Sequence, residues 1–114
     1  MVFIETSIFT RQIQDLISDE HVRALQEWIA ESPTAGKLIK GSGGCRKLRW
    51  KTAATGKRGG IRVIYYWMKE YDRVLLLLAY AKSRTEDLNP GQIKILGEIV
   101  RLEIRWIEDG TTTV

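Results

Sequence analysis

The stretch from Gly41 to Tyr80 constrains the fold more than any other part of the chain, because it predicts three consecutive β-strands. A basic, glycine-rich loop over 51–60 separates the first strand from the second, and a turn over 69–72 joins the second to the third as a hairpin. A run of strands, rather than a strict alternation of strands with helices, is typical of an α+β fold. The predicted strands are Cys45–Trp50, Ile61–Met68 and Val74–Tyr80.

The side-chain pattern of these strands predicts a sheet with one cationic face. Successive side chains of a strand point to opposite faces. In the first strand, Leu48 and Trp50 therefore share one face, while Lys47 and Arg49 share the other. The second strand adds Arg62 to the cationic side. Such a surface is suited to binding the phosphate backbone of a nucleic acid.

The distribution of charge supports a binding surface more than the modest net charge of +4 does. Residues 37–62 contain nine Lys or Arg side chains and no Asp or Glu, while the acidic residues lie at 5–31 and 70–109. These cations alternate with apolar residues on predicted strands and have no acidic partners nearby in sequence. That pattern favours a nucleic-acid partner over a merely solvated face.

Capping residues and apolar periodicity predict a short first strand at 2–5 and three helices. Pro90 and Gln92 fit the first turn and the capping box of the last helix. We expect Ile8, Trp28 and Trp106 to be among the apolar residues that face the sheet. The helices are predicted from a Thr6 or Ser7 cap to about Leu16, from a Ser18 or Asp19 cap to about Ala30, and from an Asn89 cap to about Trp106.

Length and composition exclude several classes of protein. A chain of 114 residues fits a single domain, which we place at 1–109 with a frayed tail at 110–114. The sequence shows neither a secretory signal nor an apolar run of membrane-spanning length, so we expect a cytoplasmic protein. With one cysteine, Cys45, and one histidine, His21, neither an internal disulfide nor a His/Cys zinc site is expected. We expect no metal and no other cofactor.

The residues available for catalysis are Lys, Arg and Tyr, because neither a Ser/His/Asp triad nor a Cys/His pair can be assembled. These side chains suit metal-free RNA scission, in which the 2′-hydroxyl of the substrate attacks the adjacent phosphate. Arg can stabilise the charge on the phosphorane, Lys can act as a base, and Tyr or Lys can protonate the leaving oxygen.

Three motifs resemble the RelE/HigB superfamily of toxins from bacterial type II toxin–antitoxin systems, and the HigB branch in particular. They are GSGGCRKLR at 41–49, GKRGGIRVIYY at 56–66 and YAKSRTEDL at 80–88. The resemblance implies a curved antiparallel sheet with two N-terminal helices and a C-terminal helix. It also implies ribosome-dependent cleavage of mRNA in the A site, and neutralisation by a cognate antitoxin.

The resemblance also suggests roles for individual residues. The Lys-x-Lys of RelE-like toxins corresponds to Lys47 and Arg49, and an Arg guanidinium is a poor proton acceptor near pH 7. Arg62 matches the phosphate-binding Arg of the next strand. The family's late Arg, a proposed acid, aligns with Ser83, which lies between Lys82 and Arg84. The family's C-terminal Tyr has no match at its own position, and Tyr80 is a substitute from a different position.

The predicted catalytic set is therefore Lys47, Arg49, Arg62, Lys82 and Tyr80. Two other functions remain open: a ParE-like toxin that poisons DNA gyrase, and a non-catalytic RNA-binding module. The cationic face favours the RNA hypotheses, since a gyrase binder does not need to cradle phosphate. The predicted RNA- or ribosome-binding residues are Arg46, Lys51, Lys57, Arg58 and Arg84.

Overall fold

A computed structural model of the chain describes residues 1–51, 60–82 and 88–110, and it has the predicted α+β architecture. A 3₁₀ turn at Lys69–Tyr71 joins the last two strands, and a π-helical turn at Trp106–Gly110 follows the last helix. In chain order the elements are β1 Val2–Glu5, α1 Ser7–Gln14, α2 Asp19–Glu31, β2 Lys37–Leu38, β3 Arg46–Trp50, β4 Ile61–Met68, β5 Arg73–Ala81 and α3 Pro90–Arg105.

The five strands form one sheet in the order β1-β5-β4-β3-β2. Strands β2 to β5 pair antiparallel, as expected, but β1 pairs parallel with β5. The sheet is therefore mixed, with antiparallel pairing from β2 to β5 and a parallel pair at this edge. Parallel neighbours need a long connection between them. The whole chain from α1 to β4 lies between β1 and β5 and supplies that connection.

Both faces of the sheet are covered. Helices α1 and α2 pack on one face, where Phe9 and Leu25 are fully buried against strand residues such as Val63. Helix α3 covers the other face through Leu96 and Val100. Because both faces are buried, β4 and β5 are apolar along almost their whole length, as the continuous apolar run of Val74–Tyr80 indicates for β5.

The helix starts follow the predicted capping residues. The Oγ atoms of Thr6 and Ser18 accept the N–H groups of Phe9 and His21 at 3.0 and 3.3 Å. Asn89 accepts the N–H of Gln92 at 2.8 Å, and the Gln92 side chain accepts the N–H of Asn89 at 2.9 Å. Each cap satisfies N–H groups that have no partner inside the helix.

Two of the apolar residues expected to face the sheet, Ile8 and Trp106, are exposed instead, whereas Trp28 is partly exposed but packs edge-on against Trp50 of β3. At the C-terminus the reason is ordinary α-helical spacing, because position 107, seven residues after Val100, falls on the same buried stripe, whereas position 106 lies about 100° away from it. As a result Ile107, rather than Trp106, occupies the buried position.

The start of β3 and the paired part of β4 are held by hydrogen bonds to the 33–36 segment, which follows α2. The Tyr65 hydroxyl donates to the Pro33 carbonyl at 2.8 Å and accepts the Gly36 N–H at 2.9 Å. Arg46 Nη1 donates to the carbonyls of Thr34 and Gly36 at 3.0 and 2.8 Å. Gly36 is buried, and a Cβ atom there would lie only 2.8 Å from the Tyr65 ring, so no larger residue fits without rearrangement.

Candidate nucleic-acid interface

Three of the predicted catalytic residues form a row across the three central strands, one residue from the end of each strand. Arg49 of β3 lies directly opposite Arg62 of β4, and Arg62 lies directly opposite Tyr80 of β5. Directly opposed residues on neighbouring strands point to the same face, and the strands are roughly 4.8 Å apart. Tyr80 packs in the apolar cluster beneath α3, which places the row on the α3 face of the sheet. We call Arg49, Arg62 and Tyr80 the cross-strand row.

A β-bulge sets the register of this row. Ile64 pairs with Leu78, whereas Tyr65 pairs with Leu76, so Leu77 is an extra residue in β5. The extra residue changes which β5 side chains share a face beyond that point. Tyr80 consequently lies on the α3 face beside Arg62.

The row is exposed at one end and buried at the other. Arg49 is exposed, but Arg62 retains only 6 % of its accessible surface and Tyr80 only 9 %. The sequence pattern predicts an open cationic face, so the burial of Arg62 is a difference from expectation. β4 lies in the interior of the sheet, between β3 and β5. An anion that approaches from solvent therefore meets Arg49 first. The buried charge of Arg62 then attracts the anion more strongly than a fully hydrated charge would.

Lys47 lies on the same face as the row, two residues before Arg49. Its direct neighbours across the sheet are Ile64 of β4 and Lys37 of β2. Lys47 is half-buried and, with Ile39, Leu88 and Ile93, lines a cleft of about 230 Å³. The cleft lies between the 39–47 segment and the first turn of α3.

The glycine-rich segment before β3 forms a turn that packs on α3. Gly43 and Gly44 have φ of 75° and 109°, a region that favours glycine. Ser42 is buried; its hydroxyl donates to the Ile39 carbonyl at 2.6 Å and accepts the Cys45 N–H at 3.0 Å. A Cβ atom on Gly97 would lie 3.1 Å from the Ser42 carbonyl oxygen. These contacts give the glycines a structural role. The sequence signal for this packing is Gly97, a lone glycine within a helical pattern, and it was not used to predict the fold.

Cys45 lies on the α3 face next to the predicted catalytic residues but is fully buried. Burial raises the pKa of its thiol to about 11, against the smaller opposing effect of the Ser42 hydrogen bond. The thiol is therefore protonated near neutral pH and is a poor nucleophile. Cys45 acts as a packing residue.

The other predicted cations are dispersed. Arg46 is on the opposite face of β3, away from the cross-strand row, where its hydrogen bonds to Thr34 and Gly36 give it a structural role, and its contact with RNA stays a prediction. Lys51 is exposed just after β3. Lys82 is exposed just after β5, and its N–H donates to the Gly60 carbonyl at 3.5 Å. Three predicted residues, Lys57, Arg58 and Arg84, are outside the described ranges.

Within residues 1–51, 60–82 and 88–110, no three His, Cys, Asp or Glu side chains are grouped closely enough to hold a metal ion. None of the helices in these ranges is both long enough and apolar enough to span a membrane.

Comparison with known proteins assigns the fold. No protein-family model matches the sequence. Among solved structures, a mutant of the E. coli toxin RelE in the free state matches with a TM-score of 0.56 and 17 % identity, over 75 % of this chain and 86 % of RelE. The intact E. coli RelBE toxin–antitoxin complex matches with a TM-score of 0.53 and 17 % identity, over 68 % of this chain and 92 % of the matched chain. The chain thus has an α+β fold with helices on both faces of a mixed sheet, and that fold is the RelE fold.

Proposed function

We propose that this protein is the toxin of a type II toxin–antitoxin system and that it cleaves mRNA on the ribosome. The observation that carries the proposal is the cross-strand row: two guanidinium groups and a phenol on directly opposed positions of three strands, with Lys47 on the same face. The RelE fold and the three sequence motifs support the same function. A ParE-like action on DNA gyrase would not require this grouping of phosphate-binding side chains.

The proposed reaction uses the substrate's own nucleophile. The 2′-oxygen of one nucleotide attacks the adjacent phosphorus, and the bond from phosphorus to the 5′-oxygen of the next nucleotide breaks. The 2′-hydroxyl proton passes to a base, and the departing 5′-oxygen receives a proton from an acid. The products are a 2′,3′-cyclic phosphate and a 5′-hydroxyl end, so atoms and electrons balance without a metal or a cofactor.

The residues divide between charge stabilisation and proton transfer. Arg49 and Arg62 stabilise the additional negative charge that the phosphorane carries relative to the ground state. Lys47 is the only amine on the α3 face of β3, and it acts as base or as a further stabiliser. Tyr80 and Lys82 are the candidates for the acid, and the position of Tyr80 opposite Arg62 favours the tyrosine.

The proposed partners follow from the reaction and from the structural neighbours. The substrate is mRNA in the A site, which places the protein in the cytoplasm during translation. The E. coli RelBE structure is a toxin–antitoxin complex. We propose that this protein is likewise silenced by a cognate antitoxin, which covers the catalytic face or keeps the toxin off the ribosome.

The proposal can be tested by regulated expression of the protein in a bacterium. Translation is monitored after induction, and primer extension maps the 5′ ends of the mRNA. Induction of the wild-type protein alone should arrest translation within minutes and produce new mRNA 5′ ends within coding regions. Arg62→Ala should lower the cleavage rate by about two to three orders of magnitude, the usual cost of losing one transition-state donor. Lys69→Ala is the matched control, because Lys69 is an exposed cation beyond the opposite end of β4.

Two results would contradict the proposal. One is a soluble, folded protein that leaves growth and translation unchanged when expressed without any antitoxin. The other is arrested growth with supercoiling lost and mRNA intact, which would support the gyrase alternative.

A further inference from the structure

The cleft beside Lys47 is not used by the reaction described above. Its walls among the described residues are three aliphatic side chains, from Ile39, Leu88 and Ile93, and its polar component is the Lys47 side chain. Apolar walls with one or two polar groups are the usual composition of a small-molecule site.

The volume of the cleft limits what it can hold. At about 230 Å³ it is smaller than the roughly 300–1,000 Å³ of sites that take drug-sized ligands. A planar group the size of one nucleobase matches this space, whereas a folded peptide segment or a base pair does not.

The cleft is continuous with the cross-strand row. Lys47 borders it and is two residues from Arg49 on the same face of β3, a distance of roughly 7 Å along a strand. A phosphate bound at Arg49 therefore places the base of the same or the adjacent nucleotide within reach of the cleft. In its protonated form, as a stabiliser rather than as the base, Lys47 complements the electron-rich edge of a nucleobase or a neighbouring phosphate.

The walls of the cleft are held in place by the turn before β3. Ile39 accepts the hydrogen bond from the buried Ser42 hydroxyl, and the backbone of Ser42 packs directly against α3 at Gly97. Ile93 is one helical turn before Gly97, and it contacts the position where a Cβ of Gly41 would lie. A site with fixed walls loses little conformational entropy when a ligand binds.

We propose that this cleft binds one unstacked nucleobase of the RNA whose phosphate lies on Arg49 and Arg62. The inference rests on the proposed function, since it adds a base-binding subsite to the same RNA site. Recognition of single-stranded RNA commonly uses bases that are splayed out of the stack into such pockets. Ile39 and Ile93 contact the faces of the base, and Lys47 selects bases that present acceptors.

Nucleotide titrations of protein carrying labelled isoleucine methyl groups test the subsite without ribosomes. The probes are the four nucleoside 3′-monophosphates, with adenosine and inorganic phosphate titrated separately. The 3′-monophosphates should shift the methyl signals of Ile39 and Ile93, while inorganic phosphate should leave both in place. Ile95 is the matched control, because it is two residues from Ile93 on the same helix and is 55 % exposed.

Two substitutions sharpen the test. Ile93→Ala should weaken binding of the preferred 3′-monophosphate about tenfold and leave inorganic phosphate binding within twofold, while Ile95→Ala should change neither. Leu88→Ala should also weaken nucleotide binding. This second variant keeps the test valid if Ile93→Ala fails to fold. In cleavage assays, Ile93→Ala should flatten the preference among bases near the cut.

The failure of this inference differs from the failure of the proposed function. If 3′-monophosphates and inorganic phosphate perturb the same signals, and Ile93→Ala and Leu88→Ala change neither binding nor base preference, the subsite is refuted while cleavage still stands. If nucleotides bind the cleft as described but translated mRNA is not cut, the protein is an RNA-binding module and the toxin proposal fails instead.

Discussion

Arg46 and Arg49 offer a sharp test of the assignment of the two faces of β3. They are three residues apart on one strand, yet they lie on opposite faces of the sheet. Arg46 is bonded to the backbone of Thr34 and Gly36, whereas Arg49 is exposed and lies opposite Arg62. We predict that alanine at Arg46 lowers stability but not the chemical step, and that alanine at Arg49 does the reverse.

The hydrogen bonds set the size of the stability effect. Arg46 makes two bonds from a charged donor, at 3.0 and 2.8 Å, and hydrogen bonds to charged groups contribute about 1.5–3 kcal/mol each. Arg46 is only half-buried, so water can replace part of what is lost. Arg46→Ala should therefore cost about 2 kcal/mol. Arg49→Ala should stay within about 0.5 kcal/mol, as is usual for an exposed side chain without a structural role.

The effects on catalysis should be the opposite. Arg49→Ala removes a charge that faces the phosphate, so the single-turnover cleavage rate should fall about 100-fold. Arg46→Ala should leave that rate within about threefold of wild type at a temperature where the variant is fully folded. Urea unfolding and single-turnover cleavage of ribosome-bound mRNA, measured on the same preparations, give both quantities. Loss of cleavage in a stable, folded Arg46→Ala protein would refute the assignment of the faces.

Two further predictions concern buried groups. Tyr65→Phe leaves the buried Gly36 N–H without its acceptor, so it should lower the free energy of unfolding by about 1–3 kcal/mol. The control is Tyr66→Phe, which removes no hydrogen bond within the described residues and should change the free energy of unfolding by less than about 0.5 kcal/mol. Burial raises the pKa of Cys45 from 9.0 to about 11, so the unfolded chain releases the thiol proton at lower pH than the folded protein does. Between pH 9 and 11 the wild-type protein should therefore lose about 2 kcal/mol of stability relative to Cys45→Ala. Equal pH profiles for the two proteins would show that the thiol is not buried.

Local sequence signals predicted most of the elements. The bounds of β1 and β4 agree with the prediction, and the Asn89 capping box is formed as its spacing indicates. These features depend on residues within a few positions of one another, so the sequence alone contains the information. The placement of Lys47, Arg49 and Arg62 on one face followed from period-two alternation in the same way.

Features that depend on distant residues were not predictable. The position of Tyr80 opposite Arg62 depends on the bulge at Leu77, which alternation within β5 does not reveal. The structural role of Arg46 depends on carbonyls 10 and 12 residues away, and the cleft depends on α3 meeting the segment before β3. Tertiary pairing, rather than local propensity, determines each of these.

Cleavage of one reporter mRNA by the purified protein, with and without translating ribosomes, tests the central claim most directly. A second reporter carries a single 2′-deoxy substitution at the nucleotide before the cut. The account predicts cleavage of the all-RNA reporter only on ribosomes, a 2′,3′-cyclic phosphate at the new 3′ end, and no cut next to the 2′-deoxy nucleotide. Equal cutting of naked RNA, or undiminished cleavage beside the 2′-deoxy nucleotide, would contradict it.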